Sequence, residues 1–459
     1  MMTRKLPIIA VASPPGRGGV GVIRISGGNL IPIIRALFQK ELTPRYAHLL
    51  SLRDDVGRTI DQLIAIYFVA PASFTGEDVL ELQCHGGPHL LALVMKRCLE
   101  LGRAEGLAIA EPGEFTLRAY LNNKIDLAQA EAIADLIDAQ SEAAVRGAAR
   151  SLQGEFSVDI NDLIEEITQL RILVESTLDF PEEEIEFLEN AQARERLLAV
   201  SRKLTALRDS AQQGKILRDG IQLVLAGAPN VGKSSLLNRL AGEEVAIVTP
   251  IAGTTRDRIK ESISLDGVPM HIIDTAGLRE TQDVVETKGI ERSWEAIQAA
   301  DLVLFLKDVS PSTINEGVDV DLELQIKKAI PSKCPVLVVI NKADLLAGDL
   351  KSTNQENALL ISAKTGEGIS ALKQKILEIA GWEGSQEGAI LARRRHLDCL
   401  ERAAGHIKKS ELFAEDGNTS LELFAEELRL AQDDLGQITG KLLPDDLLGK
   451  IFSQFCIGK

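Results

Sequence analysis

Up to residue 122 the apolar positions fall in short runs punctuated by glycine and proline. Leu63–Pro71 (LIAIYFVAP) and Asp78–Gly87 (DVLELQCHGG) have the length and content of strands, whereas His89–Leu101 (HLLALVMKRCLEL) repeats its apolar residues at helical spacing. This mixture predicts an N-terminal α+β domain over residues 1–122. From 123 to 217 the texture changes to tracts rich in Ala, Leu and Glu, such as Asp126–Leu152, whose apolar residues recur at helical spacing. Residues 218–382 open on the apolar run Ile221–Gly227 and alternate strands with helices, the pattern of a parallel α/β sheet. Helical texture then returns over 383–459. The expected architecture is multidomain: an α+β domain, then an all-helical domain in two segments, 123–217 and 383–459, interrupted by an inserted α/β domain.

Composition narrows the possibilities. Hydrophobic residues make up 45% of the 459 and aromatic ones only 4%, which implies aliphatic, helix-rich cores. Fifty-one basic against 67 acidic residues leave a net charge of -16, so the chain as a whole attracts nucleic acid weakly, and an RNA substrate needs a local patch or a partner. The basic cluster Arg393–Arg395 and the acidic run beginning at Pro181 read as solvated helix positions. Cys84, Cys98, Cys334, Cys399 and Cys456 form no C-x-x-C pair and no zinc spacing, which argues for a reducing compartment. His85 and His89 lack a third ligand in the pattern and read as structural. The N-terminal apolar stretch is too short for a signal peptide and no uncharged run is long enough to cross a bilayer, so a cytoplasmic protein without membrane association is expected.

The inserted domain carries the clearest chemistry. Gly227–Ser234 (GAPNVGKS) matches G-x-x-x-x-G-K-[ST], follows an apolar strand and precedes a helix. In such a P-loop, backbone N–H groups wrap phosphates, Lys233 neutralises the β and γ oxygens, and Ser234 offers its hydroxyl to Mg²⁺. Asn230, Val231, Gly232 and Ser235 complete the candidate contacts. Asn341, Lys342, Ala343 and Asp344 close one strand, and Ser362, Ala363 and Lys364 close another. An ionised Asp344 can accept from guanine N1–H and the 2-amino group together, whereas adenine would leave it unpaired, so the expected nucleotide is GTP. Asp274, Thr275, Ala276 and Gly277 read as the loop that faces Mg²⁺ and the γ-phosphate. Thr249–Thr255 contains the threonines of a nucleotide-sensing switch. Leu278 cannot orient a water, so hydrolysis needs a polar group from elsewhere, and Glu280–Gly289 (ETQDVVETKG) offers candidates. Together these motifs specify a P-loop, Ras-like G domain.

The blocks Gly227–Gly242, Ala246–Asp257 and Ile272–Glu280 resemble the tRNA-modification GTPase family MnmE, also called TrmE. Pro14–Gly27 (PPGRGGVGVIRISG), Leu80–Gly87 (LELQCHGG), Gly113–Ala132 and the terminal Phe455–Lys459 (FCIGK) resemble the same family's end signatures, so the similarity spans nearly the whole chain. Ser13 and Asn123 depart from the family's usual Thr and Gly. The resemblance implies a homodimer held by the N-terminal domains, a heterotetramer with a flavoprotein resembling MnmG (GidA), and tRNA as substrate, with an aminomethyl-type group placed on C5 of the wobble uridine (position 34). It implies K⁺ at Asn230, Thr249, Ile251 and Thr254, within a loop that also includes Pro250, Ala252 and Gly253; Mg²⁺ at Ser234 and Thr255; and Glu286 as the group that orients the attacking water. A reduced folate such as 5-formyltetrahydrofolate is implied at Arg24, Glu81, Lys124 and Lys459, with Cys456 as nucleophile or base toward the uracil. Read without the family, Cys456 fits a frayed tail, a lipidation box spoiled by its terminal Lys, or an active-site thiol. The rival functional reading is a ribosome-assembly GTPase without covalent chemistry, and a third is a purely mechanical dimerising GTPase.

Overall fold

The computed structural model of the chain describes residues 6–179, 193–228, 230–242, 260–274, 298, 300–309, 334–346, 358–384, 389–415, 420–441, 445–453, 455 and 458. By compactness it divides into two units. One comprises Met1–Ala134, Leu152–Thr168 and Arg429–Lys459, and the other Asp135–Ser151 with Gln169–Leu428.

The first unit holds a six-stranded sheet built from β1 (Ile8–Val11), β2 (Gly18–Gly27), β3 (His48–Arg53), β4 (Thr59–Phe68), β5 (Asp78–Gly86) and β6 (Ala108–Ile109) in the order β3-β4-β5-β2-β1-β6. All pairings are antiparallel except that of β1 with β6. Period-two alternation sends Leu63, Ala65 and Tyr67 of β4 and Leu80, Leu82 and Cys84 of β5 into the core, where Leu91, Val94 and Cys98 of α2 (Pro88–Leu101) and Ile33, Ile34 and Leu37 of α1 (Ile31–Phe38) cover them. Of the intervening residues, Ile66, Glu81 and Gln83 are half-buried and Gln62, Ile64 and His85 are exposed. Beneath the loop that precedes β5 lies a buried polar network: Ser26 and Arg118 both donate to Glu77 Oε2, at 2.9 and 3.0 Å, and Tyr67 donates to Asp78 at 2.6 Å. Burial and this bond to Asp78 raise the Tyr67 pKa.

α3 (Glu114–Leu121) and α4 (Leu127–Asp138) follow, and the last helix described, α12 (Asp445–Phe452), packs Phe452 with Phe455 against Leu127, Ala130 and Tyr120. The C-terminal segment approaches the N-terminal part of this unit closely enough to require glycine. At Gly113 (φ +68°) a Cβ would stand 2.4 Å from the Phe452 carbonyl oxygen, and at Gly458 (φ +95°) 2.4 Å from that of Val11.

The second unit contains α7 (Ala193–Asp219), α9 (Ile369–Ile379) and α10 (Arg394–Glu415), while α4, α5 (Glu142–Gln153), α6 (Glu155–Asp179) and α11 (Leu421–Thr439) have residues in each unit. Its sheet consists of β7 (Ile221–Gly227), β8 (Lys260–Leu265), β9 (Val268–Asp274), β10 (Leu302–Asp308), β11 (Val336–Asn341) and β12 (Ala358–Leu360) in the order β12-β11-β10-β7-β9-β8. The strands are parallel apart from the β8–β9 hairpin, where Asp266 and Gly267, at φ +49° and +83°, form the two-residue turn. α8 (Lys233–Gly242) buries Leu236, Leu237 and Leu240 in this core.

α7 leads into β7, and it is held by the segment that leaves the sheet. Gln213 donates to the Gly381 carbonyl at 2.8 Å and accepts from the Glu383 N–H at 3.1 Å. Buried Asp135 accepts from Arg218 at 2.8 Å and from Arg393 at 2.7 Å, so one carboxylate joins the residues that flank the inserted sheet. At Gly214 a Cβ would lie 1.7 Å from the Ile390 carbonyl oxygen. Backbone cannot rotate away as a side chain can, so Gly214→Ala is expected to destabilise this unit by about 1–3 kcal/mol or more, read as a lower urea midpoint of the α7-containing transition; an unchanged midpoint would contradict that packing.

Candidate functional site

The parallel strands of the second sheet all release their loops at one edge, and the register places Gly227 opposite Leu306, Asp308 opposite Asn341 and Leu225 opposite Asp274. This is the edge where open α/β sheets bind ligands. The loop after β7 curls because Asn230 and Gly232 adopt φ of +64° and +96°, a conformation that turns successive N–H groups toward one centre at the start of α8. Gly232 has a second reason to be glycine: a Cβ would fall 2.2 Å from Asn341 Nδ2. Lys233 Nζ donates to the Gly227 and Ala228 carbonyls at 2.8 and 3.0 Å, which places its ammonium at the loop. Ser234 and Ser235 are exposed at the helix start and Val231 is buried beneath.

Asn341 connects this loop to the next. Its Nδ2 donates to the Val231 carbonyl at 2.8 Å and its Oδ1 accepts from the Ala363 N–H at 3.0 Å, both in a buried setting. Lys342, at φ +67°, pairs its ammonium with Asp308 at the end of β10, and the Ala343 N–H donates to the Ile361 carbonyl at 3.0 Å. These bonds leave Asp344 exposed at the rim, where its Oδ1 accepts from Ser362 Oγ at 2.7 Å. Ser362 Oγ in turn accepts from the Thr365 N–H at 3.1 Å. The hydroxyl bond from Ser362, aided by the ammonium groups of Lys364 and Lys342, holds the Asp344 carboxyl below its ordinary pKa. An ionised, rim-exposed carboxylate can accept two adjacent N–H groups of a ligand base. Sequence reasoning did not single out Asp308, although an acid closing an apolar parallel strand was a usable signal.

Among the other expected residues of this domain, Asp274 ends β9 at the same edge. Its side chain, and Thr249, Pro250, Ile251, Ala252, Gly253, Thr254, Thr255, Thr275, Ala276, Gly277 and Glu286, lie outside the described residues.

A second cluster sits on the first sheet. Arg24 of β2 and Glu81 of β5 are direct cross-strand neighbours, and the guanidinium donates to Glu81 Oε1 from Nε at 3.0 Å and from Nη2 at 2.8 Å. The guanidinium carbon also lies 5.5 Å from the Phe74 ring centre and 5.9 Å from that of Phe115. Neither ring was anticipated from the sequence, because both come from loop and helix positions without periodic signal. Lys124 reaches toward the same loop, donating to the Pro71 carbonyl at 3.0 Å. His85 is not isolated: its ring Nδ1 meets Asp61 Oδ1 at 2.7 Å while its backbone N–H donates to Asp61 Oδ2 at 3.0 Å. Lys459 and Cys456 lie outside the described residues. Of the described cysteines, Cys84 is pushed up to about 12, first by burial and then by Asp61, and burial raises Cys98 as well; both thiols stay protonated at neutral pH and are poor nucleophiles.

The curled loop on a parallel sheet, with its lysine and the loops of Asn341–Asp344 and Ser362–Lys364 at the same edge, defines a P-loop GTPase. Residues 7–124 match the family profile described as the GTP-binding protein TrmE N-terminus, and residues 127–456 match the MnmE helical domain. The chain is 76% identical over 461 residues to the tRNA modification GTPase MnmE of Polynucleobacter asymbioticus and 56% identical over 458 residues to that of Bordetella parapertussis, with 100% of each chain covered in both comparisons. The Cupriavidus metallidurans protein of the same name is 51% identical over 476 residues, again covering 100% of each. The chain belongs to the MnmE family of tRNA modification GTPases.

Because the Asp344 pKa is lowered, any contact that needs its carboxylate should persist across neutral pH and be lost only as pH falls below the ordinary carboxylate range. Asp344→Asn should weaken GDP binding about a hundredfold or more, and gain xanthosine diphosphate, whose 2-oxo group accepts from the new amide. Titration with both nucleotides checks this, and unchanged GDP affinity would remove Asp344 from the base site.

Proposed function

We propose that this GTPase acts in tRNA wobble-uridine modification, installing a (carboxymethyl)aminomethyl group on C5 of uridine 34 of certain tRNAs together with a flavin-dependent partner resembling MnmG. The observation that carries this reading is 76% identity over the full length to a protein named for tRNA modification, combined with a second polar cluster, Arg24 with Glu81, in a unit other than the one that holds the P-loop. A pure switch would have no evident use for that pair.

In the G domain, the curled loop and Lys233 would hold the phosphates, Asn341 and Asp344 would position and read guanine, and Ser234 with Thr255 would ligate Mg²⁺. Asn230 is exposed on its left-handed backbone position, so its side-chain oxygen is available to a monovalent cation beside the phosphates, in the role an arginine finger fills elsewhere. The carbonyls and hydroxyls of Thr249, Ile251 and Thr254 would complete the K⁺ shell, and Glu286 would orient the attacking water. Hydrolysis would then time the opening and closing of paired G domains in a homodimer.

In the N-terminal domain, the Arg24–Glu81 pair offers a carboxylate for the N–H edge of a pterin and a cation for a negatively charged tail, and Lys124 adds a second cation. These residues fit a reduced folate, which when bound supplies the one-carbon unit. Phe455 packs in a core of the same unit and Gly458 lies against Val11. Cys456 would serve as nucleophile or base toward the uracil ring.

Two outcomes follow. GTP hydrolysis should run at least tenfold faster in KCl than in matched NaCl, with Asn230→Ala abolishing the difference; equal wild-type rates would refute the cation role. In cells lacking the protein, nucleoside mass spectrometry should show loss of the modified wobble uridine, restored by wild type and not by Cys456→Ser. An unchanged profile in the deletion would favour the ribosome-assembly reading.

A further inference from the structure

A cleft of about 460 Å³ opens within the first unit, in the size range of small-ligand sites, between the turn that joins α3 to α4, Asn161 and the residues that end α11. Its walls are polar and fixed. Tyr120 donates to the Gly440 carbonyl at 2.7 Å, and Asp126 and Gln129 cap one another, with Gln129 Nε2 reaching the Leu152 carbonyl at 3.0 Å. Lys441 stands at the rim, its ammonium donating to Asn161 Oδ1 at 2.9 Å while Asn161 Nδ2 is held by the Ser157 carbonyl at 2.7 Å. An ammonium has three donors, so the bond to Asn161 orients Lys441 without exhausting it.

Lys124 also lines the cleft, and it links the cleft to the Arg24–Glu81 cluster. Its stem crosses Gly76, where a Cβ would stand 3.1 Å from Lys124 Cγ, and its ammonium reaches Pro71. Pro71 and Gly76 bound the loop that carries Phe74, whose ring faces the Arg24 guanidinium. One side chain thus stands between the two sites.

We propose that this cleft receives the poly-γ-glutamyl tail of the reduced folate, and this rests on the folate reading above. Each added γ-glutamyl unit brings one amide and one α-carboxylate. The cleft supplies the matching chemistry: ammonium groups at Lys124 and Lys441, and amide side chains at Asn123, Gln129 and Asn161. It has no arginine, and its one aromatic residue, Tyr120, bonds the Gly440 carbonyl through its hydroxyl and packs its ring 6.0 Å from that of Phe452, so it has no series of stacking platforms of the kind with which proteins take single-stranded RNA. The glutamate next to Lys124 marks where the tail enters, and Lys441 contacts the carboxylates further along.

Calorimetry on the purified full-length protein tests this with 5-formyltetrahydrofolate as the monoglutamate and as the pentaglutamate. Wild type binds the pentaglutamate about tenfold more tightly, the order expected of one or two charge-assisted contacts, and the gain shrinks as KCl rises. Lys441→Ala removes the gain and leaves monoglutamate affinity unchanged, whereas Lys441→Arg retains it. Equal wild-type affinities for the two forms overturn the proposal and leave the folate reading standing. Silence from both ligands overturns both. Equal weakening of both forms by Lys441→Ala places Lys441 at the folate head and overturns the tail subsite. A variant indifferent to folates but defective in tRNA retention assigns the cleft to RNA instead.

Discussion

The nucleotide edge depends on one buried carboxamide. Asn341 bonds both the P-loop, through the Val231 carbonyl, and the loop after β12, through the Ala363 N–H. Strand pairing alone would bring the loops to the same edge but would not set their spacing. Leaving either buried backbone partner unsatisfied costs about 1–3 kcal/mol, so the amide is demanded by both sides. Its position also dictates the glycine at 232, since any Cβ there would occupy the amide nitrogen's space. Two motifs more than a hundred residues apart are therefore one structural unit.

The adjoining residues follow from that anchor. With Asn341 turned inward, Lys342 takes a left-handed backbone conformation and pairs with Asp308, and Asp344 emerges at the rim. Ser362 then fixes the carboxylate's charge as well as its direction. This edge is thus assembled by short polar contacts on a parallel sheet, an arrangement suited to holding a ligand base in one orientation.

The first unit uses the opposite strategy, burying charge beneath a sheet. Arg118 bridges Glu77 and Glu114 and also donates to the Leu6 carbonyl, and Asp78 collects Tyr67 and two backbone N–H groups. Such networks are costly unless complete, and here the carboxylates are met by several donors each. They fix the loop from Pro71 to Gly76, which places Phe74 beside Arg24 and supports Lys124. The polar cluster on the sheet face and the cleft beyond Lys124 share that support.

Local pattern determined much of this protein. Glycine and lysine spacing in Gly227–Ser234 is tied to a strand-to-helix turn, and the alternation of apolar runs between 218 and 382 is tied to a parallel sheet, because both depend on residues near in sequence. The end blocks likewise carried the family resemblance. Only the tertiary structure decided that Arg24 faces Glu81 across two strands, that Asp61 orients His85, that Asp308 supports Lys342, and that Gly113, Gly214 and Gly458 lack side chains because distant backbone passes there. The cleft at Lys124 and Lys441 belongs to the same class. Periodicity reports which face of an element is buried, but the identity of what lies against that face is set by register and chain return, and no local window contains that information.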